Sequence, residues 1–182
     1  VPRWTRSCRL DSLAFEQVSL RTLYSYFGDV MRLSIEKFAE RHGDAPWLIV
    51  EPYAQDTEET RVATVSGSKA QPTQRSVGRV QKREGSNAFV NMVTLGRMPN
   101  NDIHLPAPDV SGFHAYFLIQ PDGSLQLSDA NSSFGTTVDG VRLESQKPIP
   151  VAVGQTIQFA TVQARLVDVG EVFEHIKVRP RE

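Results

Sequence analysis

The sequence predicts a mainly β chain: a β-sandwich with an N-terminal helical extension and a short C-terminal helix. Three observations carry this. From Val77 onward, short β-prone segments recur with turns every roughly eight to twelve residues. Gly, Pro, Asp or Asn stands between most of them. Helical periodicity is confined to the two ends of the chain.

Leu13, Leu20, Leu23, Phe27 and Val30 fall roughly on one helical face, with Glu16, Gln17, Arg21 and Thr22 off it, which predicts a helix between Asp11 and Phe27. Ser34 stands where an N-cap belongs. Ile35 and Phe38 supply apolar anchors, and Gly43 is placed to stop a second helix at about His42. The run "APWLIVEPY" is β-prone and bounded by proline, so the sandwich begins near Ala45 with a buried strand. Gln55 to Ser76 is poor in large apolar residues and rich in Ser, Thr, Gln and Lys. It reads as a mobile excursion in which only "RVATV" resembles a strand.

Strands are then expected in "VGRVQK", "FVNMVTLG", "DIHL", "HAYFLIQ", "SLQLSD", "TTVDG", "QTIQFA" and "VQARLVDV", with a tight turn at Pro121 to Gly123. In "GEVFEHIKVRP", Val172, Phe173 and Ile176 have helical spacing and predict a short helix packed back on the sandwich. The expected division is a helical extension over 1–44, a sandwich over 45–170 with a mobile insertion near 54–76, and a C-terminal tail over 171–182.

Charge and composition exclude several functions. With 20 basic and 21 acidic side chains, the chain has no global field to draw it onto nucleic acid or an anionic membrane. Any phosphate it binds must be held locally. The longest apolar stretch, "WLIV", is far short of the roughly 20 residues that span a bilayer. The single cysteine, Cys8, has no intramolecular partner, which fits a reducing, cytoplasmic setting. No cofactor is expected, since "VSGSKA" around Gly67 lacks the spacing and the Lys-Ser/Thr ending of a phosphate-binding loop.

Three clusters fall in turns between strands, where a rigid β scaffold presents binding groups. They are "LGR" at Leu95 to Arg97, "VSGFHA" at Val110 to Ala115 and "DANSSFGTTVDG" at Asp129 to Gly140. In order and spacing they resemble the forkhead-associated (FHA) family pattern: Gly-Arg, then Ser-x-x-His, then Asp-x-x-Ser-(Ser/Thr)-Asn-Gly-Thr and Asn-Gly. The stretch "NNDIHLP" is similar to the family's Asn-Asp-Ile segment. The resemblance covers about Ala45 to Val169, most weakly before Val77, and Ser34 to Pro52 is similar to extensions on some bacterial members.

The resemblance implies an FHA-type β-sandwich that binds a phosphothreonine-containing protein or peptide in protein-protein signalling. It implies that Arg97, Ser111 and Ser133 contact the phosphate, with Gly112 and Phe134 on the peptide-binding surface. Gly96, His114, Gly135, Asp139 and Gly140 would support the loops. The chemistry of these residue types agrees. A phosphothreonine carries about −1.5 to −2 charges and strong acceptor oxygens; arginine offers it a planar fork of donors, and serine hydroxyls and backbone N–H groups can complete the cradle.

Two departures leave an alternative open. Phe134 stands where the family has the Asn that pins the peptide main chain, and Gly112 follows Ser111 where many members carry a polar side chain. Asn100, Asn101 and Asn131 lie in neighbouring loops. The alternative is a phosphate-independent interaction module on a degenerate FHA scaffold, including self-association through the N-terminal helices with Tyr24, Tyr26 and Met31 as surface. An enzyme is not expected. A Ser111, His114, Asp129 triad lacks the strained turn that presents a nucleophile, and His104, Asp102, Asp109 and His114 have no metal-ligand spacing.

Overall fold

The computed structural model describes residues 20–53 and 75–178. Cys8, the predicted helical residues 11–19, "RVATV", Gly67 and most of the predicted excursion lie outside them. The elements are β1 (Arg21–Thr22), a 3-10 turn (Leu23–Tyr26), α1 (Phe27–Val30), α2 (Ile35–His42), β2 (Trp47–Val50), β3 (Ser76–Arg79), β4 (Met92–Gly96), β5 (Ile103–His104), β6 (Ala115–Ile119), β7 (Leu125–Asp129), β8 (Thr136–Val138), β9 (Val141–Arg142), β10 (Ile149–Val151), β11 (Thr156–Phe159), β12 (Val162–Val167) and α3 (Val169–Lys177).

The strands form a seven-stranded sheet in the order β1-β3-β2-β12-β11-β8-β9 and a five-stranded sheet in the order β10-β7-β6-β4-β5. Alternation along each strand turns one set of side chains inward. Leu48 and Val50 of β2, Ile157 and Phe159 of β11, and Ala164 and Leu166 of β12 meet Val93, Leu95, Phe117 and Leu127 of the other sheet in one buried core. β2 is buried on both faces, which accounts for its unbroken "WLIV". Its other side chains, Trp47 and Ile49, join Leu23, Val30, Phe38, Val172, Phe173 and Ile176 in a second core on the outside of the seven-stranded sheet. Tyr26 closes that core with its ring edge-on to Trp47 at 5.4 Å and to His42 at 5.2 Å.

Local signals hold at the ends of α2 and α3. The Lys37 N–H donates to Ser34 Oγ at 3.5 Å. Gly43 takes a left-handed φ of 77° and its N–H donates to the Ala39 carbonyl at 2.7 Å, as a helix C-terminus requires. Asp168 caps α3 by accepting from the Glu171 N–H at 2.7 Å. Gln120 and Ser124 close the turn at Pro121 to Gly123, where Gly123 has φ 84°.

Of the stretch between Asp11 and Phe27 in which a helix is expected, the described part holds a short strand and a 3-10 turn instead of an α-helix. Arg21 and Thr22 pair with Val77 and Ser76 of β3, and a 3-10 turn follows before α1 opens at Phe27. The apolar spacing reported burial correctly, since Leu23 and Val30 are in the core. Burial along one side does not fix the backbone, and here Arg21 and Thr22 pair with the edge that β3 would otherwise leave open. Ser76, placed in the excursion from the sequence, belongs to β3.

Candidate functional site

The end of β4 and the segment before β6 continue as a backbone ladder past the strands themselves. The His114 N–H donates to the Leu95 carbonyl at 2.9 Å, the Arg97 N–H to the Ser111 carbonyl at 2.9 Å, and the Met98 N–H to the Gly112 carbonyl at 3.1 Å. The chains run so close that a β-carbon at Gly96 would lie 2.9 Å from the Gly112 carbonyl carbon and from the Ser111 oxygen. Only glycine fits there. Asn101 reinforces the ladder, donating from Nδ2 to the Met98 carbonyl at 2.8 Å and the Gly112 carbonyl at 2.7 Å. His104 donates from Nε2 to the Arg97 carbonyl at 3.0 Å, and burial pushes its pKa down.

The loop after β7 is shaped by the buried carboxylate of Asp129. It accepts from the Ser132 N–H at 2.9 Å, the Ser132 hydroxyl at 2.6 Å and the Thr136 hydroxyl at 2.7 Å. Burial raises the carboxyl's pKa, but these bonds outweigh it and hold Asp129 below its ordinary value. Ser132 Oγ in turn accepts from the Gly135 N–H at 2.9 Å. Gly135, at φ 83°, supplies the left-handed residue that closes the loop.

His114 joins the two loops from below. Its ring is fully buried and stands edge-on to Phe159 at 6.0 Å. Nδ1 accepts from the Ser111 N–H at 3.1 Å and Nε2 donates to the Gly135 carbonyl at 3.2 Å, which defines the neutral Nε2–H tautomer. Burial pushes the ring's pKa down, against the Gly135 bond and the charges of Asp129 and Asp109. A second tie lies above it, where the Ser133 N–H donates to Ser111 Oγ at 3.1 Å. Arg97, Ser111 and Ser133 thus sit on three segments locked to one another. The proton of the Ser111 hydroxyl and the hydroxyl of Ser133 meet no partner among the described residues.

The other sequence-predicted residues separate. Gly112 lies on the ladder beneath Met98, and Phe134 is 61% exposed at the tip of its loop. Asp139 and Gly140, at φ 49° and 81°, form the two-residue turn between β8 and β9. Asp139 bonds the Thr156 N–H at 2.9 Å and Gln155 Nε2 at 2.8 Å, so it braces the far end of β8 rather than the loops. Asn131 takes φ 65° and meets the Ser145 hydroxyl at 3.4 Å.

The geometry also bears on the enzyme alternative. His114 accepts from the Ser111 backbone rather than its hydroxyl, and Asp129 bonds Ser132 and Thr136, so Ser111, His114 and Asp129 do not stand in relay. Sequence reasoning missed the structural work of Asn101, His104 and Ser132. The spacing of Asp129, Ser132 and Gly135 was the available signal for the last.

No curated protein matches the sequence. Among solved structures the chain is similar to the FHA domain of the CT664 protein of Chlamydia trachomatis, with 20% identity over 67% of this chain and 97% of that one and a TM-score of 0.42. It is similar to EmbR of Mycobacterium tuberculosis, solved with a low-affinity phosphopeptide, with 17% identity over 66% of this chain and 24% of that one and a TM-score of 0.40. The Slr1951 protein of Synechocystis shows 16% identity over 67% of this chain and 96% of that one, with a TM-score of 0.45. The family model of the FHA domain matches residues 93–160, the stretch that holds all three interlocked segments, and the chain contains an FHA domain.

Proposed function

We propose that this chain is a phosphothreonine-peptide binding module and not a catalyst, with the phosphate held by Arg97, Ser111 and Ser133. The observation that carries the reading is the Ser133 N–H to Ser111 Oγ bond at 3.1 Å. It fixes two serines from different loops side by side while leaving their hydroxyl protons uncommitted, next to the segment that carries Arg97. Phosphate is the ligand such a group suits, since it offers only acceptors and brings the opposite charge. The division proposed with it gives 45–170, with an insertion near 54–76, to the binding sandwich, and 1–44 and 171–182 to an N-terminal extension and a C-terminal tail. A cytoplasmic signalling role belongs to the same reading.

Calorimetric titration with matched phosphorylated and unphosphorylated threonine peptide libraries tests this, using the parent and Arg97→Ala. Truncating one member of a desolvated charged contact costs about 2 to 5 kcal/mol, or on the order of 30-fold to several thousand-fold in affinity. The thermal midpoint is expected to stay put. Binding by the variant equal to that of the parent removes Arg97 from the site.

One set of contacts favours the phosphate-independent reading. In addition to the exposed Phe134, the Phe89 and Phe113 rings stack at 5.7 Å and Phe113 stacks on Tyr116 at 6.0 Å, which puts aromatic surface on the segment that leads from the Ser111 loop into β6. The N-terminal layer offers less than the sequence suggested. Met31 is 63% exposed, but Tyr26 is committed to the second core.

A further inference from the structure

The β8–β9 hairpin sets Arg142 opposite Thr137 and returns its side chain over the loop that bears Ser133 and Phe134. A β-carbon at Gly135 would lie 2.5 Å from Arg142 Cζ and 2.9 Å from Nε, so the guanidinium fills the place a side chain at 135 would take. Arg142 is exposed, and its side chain makes no hydrogen bond, ion pair or ring contact with any described residue. The carboxylates near it in the chain are already committed: Asp139 to Thr156 and Gln155, Glu144 to Lys147 at 3.1 Å, and Asp129 to Ser132 and Thr136. A permanent cation with a planar fork of donors therefore rests on the candidate binding loop with nothing among the described residues to neutralise it.

Its position relative to Arg97 decides what it meets. Arg97 and Ser111 hang from the five-stranded sheet, whereas Arg142 belongs to the seven-stranded sheet, with the Ser133 loop between. The Gly135 carbonyl is turned inward to His114 and the Ser133 N–H toward Ser111. The segment that carries Arg97 thus joins the loop from one sheet through Ser111, the Arg142 guanidinium lies on it from the other, and a phosphate cradled by Arg97, Ser111 and Ser133 leaves the second cation for a second anion.

We propose that Arg142 is a specificity-determining residue of the phosphothreonine site, whose guanidinium reads a carboxylate side chain flanking the phosphothreonine on the same peptide. This rests on the phosphothreonine reading above. The preferred ligand is an acidic phosphopeptide, and Gly135 is needed both for its positive φ and for the seat it gives the guanidinium.

The test uses the full chain and phosphothreonine peptides carrying one glutamate at each flanking position in turn, each matched to its glutamine counterpart. At one position or an adjacent pair, the parent is expected to prefer glutamate by about two- to five-fold, the scale of an exposed charge pair, with the preference shrinking at high salt. Arg142→Gln is expected to erase that preference while binding the glutamine peptides as the parent does, and Arg142→Lys to keep part of it. A parent without preference overturns the assignment, as does a preference that survives in Arg142→Gln. Equal loss toward both members of every pair also overturns it, because Arg142 would then act on the phosphothreonine itself or on loop shape. If the parent binds neither phosphorylated member of any pair, the phosphothreonine reading falls and the assignment falls with it, an outcome distinct from phosphate-dependent binding without preference.

Discussion

Two aspartates of the five-stranded half of the molecule, Asp102 and Asp129, are buried at 2% and 3% exposure, yet their surroundings differ in kind. Asp102 accepts from the Thr94 N–H and hydroxyl at 2.8 and 3.0 Å, the Arg83 N–H at 2.9 Å, the Ser86 hydroxyl at 2.5 Å and Lys82 at 2.9 Å. Its partners bind one another as well: Asn87 bridges Lys82, Ser86 and Thr94. The knot is closed, and its carboxyl is held far below its ordinary value although burial alone would raise it. Asp129 also ends up below its ordinary value, but its bonds shape a loop whose outermost groups stay uncommitted. A buried, ionised carboxylate therefore marks a segment whose shape must be fixed. Whether that segment binds anything depends on the donors it leaves at the surface.

Breaking the closed knot gives the largest expected effect. Asp102→Ala strands the Thr94 and Arg83 N–H groups and the Lys82 charge, at a cost of about 3 kcal/mol or more. Urea denaturation should register the loss, while the phosphopeptide affinity of the folded fraction stays close to the parent's. Affinity lost at unchanged stability would mean that the two knots do not divide the work as described.

The open knot turns on His114. Replacing it with Ala removes the acceptor of the Ser111 N–H and the donor to the Gly135 carbonyl, lowering stability by about 1 to 3 kcal/mol and weakening peptide binding alongside. Protonation tests the same strut. The folded ring has a depressed pKa, so its contribution is fully present above 6.5, the ordinary histidine value, and is lost as the pH falls below it, because the unfolded chain takes up the proton first. Stability measured from pH 7 down to pH 5 is expected to fall more steeply for the parent than for His114→Gln; equal slopes would show that the ring is not held neutral. Stability is the readout to use, since the phosphate of a peptide titrates in the same range, near pH 6 or so.

Much of this arrangement was legible in the sequence, for local reasons. Ser34, Gly43 and the Pro121 to Gly123 turn are decided within a few residues, and the three loop clusters carry their own glycines and hydroxyls. What escaped depends on partners distant in sequence. Asp102 opened an expected strand with no sign of a knot around it, because Lys82, Arg83, Ser86 and Asn87 reach it from a segment far away in sequence. Arg142 could be placed over Gly135 only with the β8–β9 register known. β1, β9 and β10 are two or three residues long, and β10 contains Pro150 at a sheet edge, so none carries a strand pattern of its own.

The smallest expected effect sharpens what an open loop leaves uncommitted. Phe134 is 61% exposed, so exchanging it for Asn should leave stability unchanged. If Arg97, Ser111 and Ser133 hold the phosphate without a side chain to clamp the peptide main chain, binding by the parent is dominated by charge, and Phe134→Asn adds a hydrogen bond. Such a bond contributes about 0.5 to 1.5 kcal/mol, a gain of a few-fold to roughly ten-fold in phosphopeptide affinity. A phosphate-independent module gives the opposite sign, because Phe134 would then be buried in a partner and its loss would cost about 1.5 to 3 kcal/mol. Calorimetry of both proteins against one phosphothreonine peptide, with sedimentation to follow self-association, separates the two. Tighter binding by the Asn variant supports the phosphate cradle. No phosphopeptide binding by either protein, with self-association present in the parent and lost in the variant, would transfer the site to the interaction module.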